Sequence, residues 1–318
     1  NDVLFQEETQ IYRWERPTAL REDGTLLVDG EPIFPLIGYR VPEENYAQAK
    51  EVVNILTTVG LNRGETHDVV QAKLDTIHEH GLKMFFTLNP DFDDLEGQLG
   101  FDYVEEMVET YKDHPAVVGW LLVDEPDGKG ISISDLAELY RITRTLDPVH
   151  PTYMVVAMAA QYEMYGRTTD ILVADPYPLP NTPITFVGEQ VQIGTQLYPE
   201  RPTWSILQAF TWPPNYEYAP NITEVRHMAY QSLLAGAKGL GYYAFTTPTG
   251  WDLMEEELYD GIVDFANHEV PHISEFMLNG KTLDRYTSEN VQWGLWESGD
   301  EWYAVAINLT GQSQTTTI

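Results

Sequence analysis

The stretch His114-Pro115-Ala116-Val117-Val118-Gly119-Trp120-Leu121-Leu122-Val123-Asp124-Glu125-Pro126 decides the fold. An uncharged run from Ala116 to Val123 ends abruptly in two adjacent carboxylates and a proline. Apolar residues at every position, rather than at every second one, read as a strand buried on both faces, as in parallel sheets. The C-terminal tip of such a strand is where open α/β sheets and α/β barrels place their chemistry. Asp124 and Glu125 are therefore the first candidates for a functional pair. A structural reading stands beside this one: Asp124 or Asp127 serves only to cap the turn that follows.

From Pro35 onward the chain alternates short apolar runs with amphipathic stretches, the rhythm of a parallel sheet. Strands are expected at Pro35–Tyr39, Leu61–Arg63, Lys83–Leu88, Val117–Val123, Thr152–Val156, Asp170–Ala174, Thr203–Leu207 and Gly239–Ala244. Helices are expected at Glu43–Thr58, Val70–His80, Tyr103–Lys112, Ile133–Leu146, Pro183–Leu197, Ile222–Ala235 and Glu255–Leu278, with a weaker one near Gln161–Tyr165. Eight strand–helix units match a (β/α)8 TIM barrel, over residues 33–279. Residues 1–32 read as a lead-in whose Asp29-Gly30 turn closes a hairpin over the barrel's N-terminal end. Residues 280–318 read as a C-terminal appendage of short strands, Asn290–Glu297, Trp302–Leu309 and Thr315–Ile318, resembling the start of a β-sandwich in a chain that is a fragment.

The chain has 318 residues, 43% of them hydrophobic, enough for one large core. Asp and Glu number 50 against 18 Lys and Arg, a net charge of −32. That balance excludes a nucleic-acid footprint and argues against anionic membranes. Self-repulsion at this charge is screened by salt, so a salt-adapted source is expected. Zero cysteines remove disulfides, thiolate catalysis and Cys-ligated metals. No apolar segment reaches the ~20 residues of a membrane span. The first residue is Asn1, so a processed N-terminus is expected, with an extracellular location.

The strand tips of a barrel share one face, so reading them assembles the expected site. They bring Tyr39 and Arg40, Arg63 with Glu65, Asn89, Asp124 and Glu125, Asp175 with Tyr177, Gln208 with Trp212, and Tyr242-Tyr243 with Trp251. No Gly-rich phosphate loop, nucleophile elbow or His-Glu-x-x-His pattern occurs. Carboxylates ringed by aromatics suit sugars: rings stack on pyranose faces, and carboxyls act as acid and base. Trp212, Tyr216, Tyr218 and Trp251 are expected as loop platforms for a carbohydrate substrate. Arg40 and Arg63 either bind an acidic sugar bidentately or form internal pairs. The spacings of His78 with His80 and of His268 with His272 do not build a metal site, and neither metal nor cofactor is expected.

His-Pro-x-x-x-Gly-Trp-x-x-x-Asp-Glu-Pro, Asp175-Pro176-Tyr177-Pro178 and Gly236-Ala237-Lys238-Gly239 before Tyr242-Tyr243 together resemble clan A glycoside hydrolases, the β-galactosidase and cellulase superfamily. The lead-in Val28 to Pro35 is similar as well. The resemblance implies that Glu125 is the acid/base, with Asp124 standing where the clan has Asn. It also implies a nucleophilic Glu ending the seventh barrel strand, where this chain has Gln208, an amide that cannot attack. Three explanations are open. Asp175, then Glu65, serves instead; or Asp124 and Glu125 act on a 2-acetamido sugar that supplies its own nucleophile, with Tyr242 near the acetamide; or the barrel only binds carbohydrate. Successive strand residues face opposite ways, so both Asp124 and Glu125 reach the barrel mouth only if a bulge intervenes.

Overall fold

The computed structural model describes residues 18–57, 63–247, 252–310 and 312–316. Strands β1 (Leu26–Val28) and β2 (Glu31–Ile33) form an antiparallel hairpin in which Val28 faces Glu31. Its two turn residues, Asp29 (φ 53°) and Gly30 (φ 84°), are both left-handed, the pairing that matches the twist of a two-residue hairpin. Eight parallel strands then close a barrel: β3 (Leu36–Tyr39), β4 (Ile55–Thr57), β5 (Lys83–Thr87), β6 (Val117–Asp124), β7 (Thr152–Val156), β8 (Ile171–Ala174), β9 (Thr203–Gln208) and β10 (Leu240–Tyr243), with β10 pairing back onto β3. A separate antiparallel sheet follows, β11 (Lys281–Thr287), β12 (Val291–Ser298) and β13 (Glu301–Asn308).

Helices alternate with the barrel strands and shield their outer faces. They are α1 (Tyr46–Val52), α2 (His67–Glu79), α3 (Phe101–Tyr111), α4 (Pro126–Lys129), α5 (Ile133–Leu146), α6 (Tyr162–Tyr165), α7 (Phe186–Leu197), α8 (Ile222–Leu234), α9 (Glu256–His268) and α10 (Val270–Leu278). Side chains fix their starts. Ser132 Oγ accepts the Asp135 amide at α5, and Asn221 with Glu224 forms a reciprocal capping box at α8. No helix among the described residues is long and apolar enough to cross a membrane.

The expected barrel, hairpin and C-terminal strands are all present, with three local corrections. The second barrel strand is Ile55–Thr57, which was expected to be the end of a helix; the expected strand Leu61–Arg63 falls largely outside the described residues, and Arg63 lies in a turn. The helix expected over Glu255–Leu278 breaks at Glu269 (φ −110°, ψ −40°) and restarts with Pro271 in its first turn. Proline lacks the amide that an uninterrupted helix would use there, and it is accommodated in a first turn. The third strand of the C-terminal sheet is Lys281–Thr287 and not Thr315–Ile318; residues 315 and 316 are outside any strand, and 317 and 318 are not described.

The barrel interior is a packed core. Phe85, Tyr153 and Trp204 meet there, with ring centroids 4.9, 5.6 and 6.2 Å apart. Gly119 on β6 makes room for this cluster, because a Cβ there would stand 2.0 Å from Phe85. Leu20 and Leu26 are buried in the same cluster as Ile37 and Ile55, with Val28 and Ile33 packed against it, so the lead-in plugs the N-terminal end. The other end is left for the site.

Candidate active site

Strand β6 carries the feature that builds the site. Its Leu121 pairs with Tyr153 and its Asp124 with Val155, so three steps on β6 oppose two on β7. The extra residue is a bulge, and it turns Asp124 inward after Leu121. Glu125 then adopts a left-handed conformation (φ 49°, ψ 60°) and its amide donates to Val155 O at 3.1 Å. The two irregularities bring both neighbouring carboxylates into one cavity of roughly 350 Å³. Neither caps α4: Glu125 occupies the N-cap without a side-chain bond, and Asp127 accepts the amides of Ala157 and Met158 instead.

Asp175, one residue past β8, is the cavity's third carboxylate, and only 5% of it is exposed. It shares the cavity with Glu125 and Asp124, and its Oδ1 is buried without a partner. Burial first, then Glu125 and Asp124, push Asp175 well above the usual carboxylate range. Asp124 is raised to about 6, by burial and then by the charge of Glu125, with Lys129 opposing.

Around the acids stand Tyr39, Tyr177, Phe210, Trp212, Tyr216 and Tyr243. Tyr177, Phe210 and Tyr243 pack on one another at 4.9 to 6.0 Å. Tyr39 is tied to Tyr153 through their hydroxyls, and burial raises the pKa of both. Trp212 and Tyr216 exchange backbone hydrogen bonds (2.6 and 2.9 Å), which turns the loop after β9 over the cavity. Val155, Ile206 and Asn215 complete the lining. No group of three or more His, Asp or Glu among the described residues is arranged to hold a metal ion.

Of the residues expected from sequence, the structure brings together Tyr39, Asp124, Glu125, Asp175, Tyr177, Trp212 and Tyr216. Several others lie elsewhere. Tyr242 points into the outer core beneath the helices, and its neighbour Tyr243 lines the cavity instead. Glu65 pairs with Lys73 at 2.7 Å and Arg63 with Asp91 at 3.7 Å. Arg40 donates to Thr246 O at 3.1 Å and contacts Tyr243. Asn89 ends its strand in a left-handed turn (φ 40°) outside the lining, and Tyr218 bonds Glu224. Trp251 falls outside the described residues.

Gln208 receives a different job from the one its position implied. It is fully buried: its Oε1 accepts the Leu179 amide and its Nε2 donates to the Leu179 carbonyl, both at 2.9 Å. The clamp holds the loop that carries Asp175 and Tyr177. A carboxylate at 208 would set an acceptor against the Leu179 carbonyl with no proton between them, so the clamp requires an amide. Phe210, Asn215 and Ile206 were not anticipated, since Phe210 and Asn215 follow the last regular position of β9 and carry no period.

The family model for "Glycosyl hydrolases family 2, TIM barrel domain" matches residues 56–181, which include β5 to β8 and all three carboxylates. No curated protein matches the chain by sequence. Among solved structures, a glycoside hydrolase family 5 protein from Bacteroides vulgatus superposes with a TM-score of 0.63 at 13% identity, covering 93% of this chain and 81% of its own. A structure described as a glycoside hydrolase gives 0.62 at 14% identity over 88% and 83%. A family 2 β-galacturonidase from Eisenbergiella tayi, solved with galacturonate bound, gives 0.58 at 14% identity over 79% of this chain and 54% of its own. The fold is a closed (β/α)8 barrel, and the family 2 barrel model lies over the part of the chain that bears the acids.

Proposed function

We propose that this protein hydrolyses glycosidic bonds in an oligo- or polysaccharide, with Glu125 as the general acid. The observation that carries the reading is that Glu125, Asp124 and the buried Asp175 line one aromatic-walled cavity at the C-terminal mouth of the barrel. Glu125, less buried than Asp175, delivers a proton to the leaving oxygen. Asp175, in the same lining, is the second catalytic carboxylate of this reading. Such partners stand ~5–9.5 Å apart around the sugar, the shorter separations going with retention and the longer with inversion. Asp124, ionised above about pH 6 and facing the same cavity, supplies the negative charge opposite the oxocarbenium-like centre. The 2-acetamido alternative has Asp124 and Glu125 where it requires them, but not Tyr242.

The test is release of reducing ends from a panel of aryl glycosides and polysaccharides by the wild-type protein and Glu125→Gln. Loss of about a hundredfold or more in kcat/KM is expected. Equal activity in the variant overturns the assignment, and glycan binding without release by the wild type leaves a binding barrel. Part of the same proposal is a salt-rich setting outside the cell, supported by the charge of −32 and by the size of a polymeric substrate. A melting temperature that fails to rise with added salt would count against the setting.

A further inference from the structure

We infer that the cavity selects against acidic sugars, so that the unit bound beside the scissile bond is an uncharged pyranoside, with uronates and sulfated sugars rejected. The inference rests on reading this cavity as the glycoside site and concerns which sugars enter it. Three carboxylates face the space, and among the described residues no Lys, Arg or His lines it.

The nearby cations are committed elsewhere. Arg63 is paired with Asp91, and Lys73 with Glu65. Arg40 holds Thr246 O and contacts Tyr243, and Lys129, exposed on α4, donates to the Asp124 carbonyl. A sugar carboxylate in this cavity therefore has no bidentate partner of the kind that recognises such a group. It also lies within reach of at least one ionised acid. Two like charges ~5 Å apart at an effective dielectric of ~20 repel by enough to cost about a hundredfold in binding. Clashes of charge discriminate between related ligands at least as strongly as added contacts do. The β-galacturonidase with galacturonate bound shares the fold at 14% identity, but its ligand does not carry over to this lining.

The test pairs each neutral aryl glycoside with its uronide, galactoside with galacturonide and glucoside with glucuronide, in both anomers. The neutral member of any hydrolysed pair is expected to have a kcat/KM about a hundredfold higher or more. Asn215→Arg, placed on an exposed loop position of the rim, is expected to narrow that ratio to about tenfold by raising the uronide. A uronide turned over as fast as its neutral partner by the wild type overturns the inference. If no glycoside is hydrolysed, the proposed activity fails, and selectivity is read from saturation-transfer NMR of the free sugars with the intact protein. Galactose binding tighter than galacturonate upholds the inference there, and equal binding overturns it.

Discussion

Replacing Asp124 by Asn is expected to make the protein more stable at neutral pH. In the folded chain the Asp124 carboxyl titrates at about 6, against an ordinary value of 3.8. Each unit of difference corresponds to about 1.4 kcal/mol, so keeping the group ionised inside the fold costs up to about 3 kcal/mol above pH 6. The sign follows from proton counting. Between pH 4 and 6 the folded state binds more protons at this position than the unfolded state, so stability falls as pH rises through that window. Below pH 4 both states are protonated and the cost vanishes. Asn has the same shape and no charge, and among the described residues no side-chain hydrogen bond of Asp124 is broken by the exchange. For a chain of this length, about 3 kcal/mol corresponds to ~5 °C in melting temperature. The assay is thermal or urea unfolding of both proteins from pH 4 to 8 at fixed ionic strength. The two curves should coincide near pH 4 and separate in favour of the variant by pH 7. A variant equally or less stable at pH 7, or a gap that does not change with pH, would refute the burial argument.

Three other outcomes follow from the same geometry. Asp175→Asn removes a carboxyl that burial holds well above the usual carboxylate range; any limb of the kcat/KM profile set by its ionisation should disappear, and an unchanged profile would exclude Asp175 from the titration that controls the rate. Gln208→Glu should lower stability by about 1–3 kcal/mol through the acceptor left facing the Leu179 carbonyl, and it should not raise the rate of aryl glycoside hydrolysis. Gly119→Ala forces a methyl to within 2.0 Å of Phe85, and a loss of about 1–3 kcal/mol or more is expected in denaturant unfolding.

Much of the architecture is written in local patterns. Thr152–Val156 and Ile133–Leu146 occupy the spans their apolar runs predicted, because a two-sided buried strand and a Ser-capped amphipathic helix each carry a strong period. Ile55–Thr57 escaped because Tyr46, Ala49, Val52, Val53 and Leu56 keep helical spacing across the break, with no Gly or Pro between them. What ends α1 is the extended backbone at Val53 (φ −138°, ψ 159°), set by the tertiary pairing of the strand. Lys281–Thr287 lacked any apolar period, and all of its residues are exposed.

The site was legible where composition breaks a strand abruptly, as at Asp124-Glu125 and Asp175. It was not legible where the answer depends on phase. Tyr242 and Tyr243 are chemically alike, and only the register of β10 against β9 and β3 sends one inward and the other outward. Gln208 is a different case, since its partner lies 29 residues earlier on a loop with no periodic signal.

The bulge in β6 has a further meaning for how much charge one barrel strand can bring to its mouth. A strand in regular register presents every second side chain inward, so adjacent acids cannot share a cavity and their fields are kept apart by the sheet itself. One inserted residue, followed by the left-handed backbone at Glu125, removes that insulation. The acidity of this site is thus an attribute of backbone spacing as much as of residue identity: the same Asp-Glu pair on an unbulged strand would divide its two charges between the mouth and the helix layer.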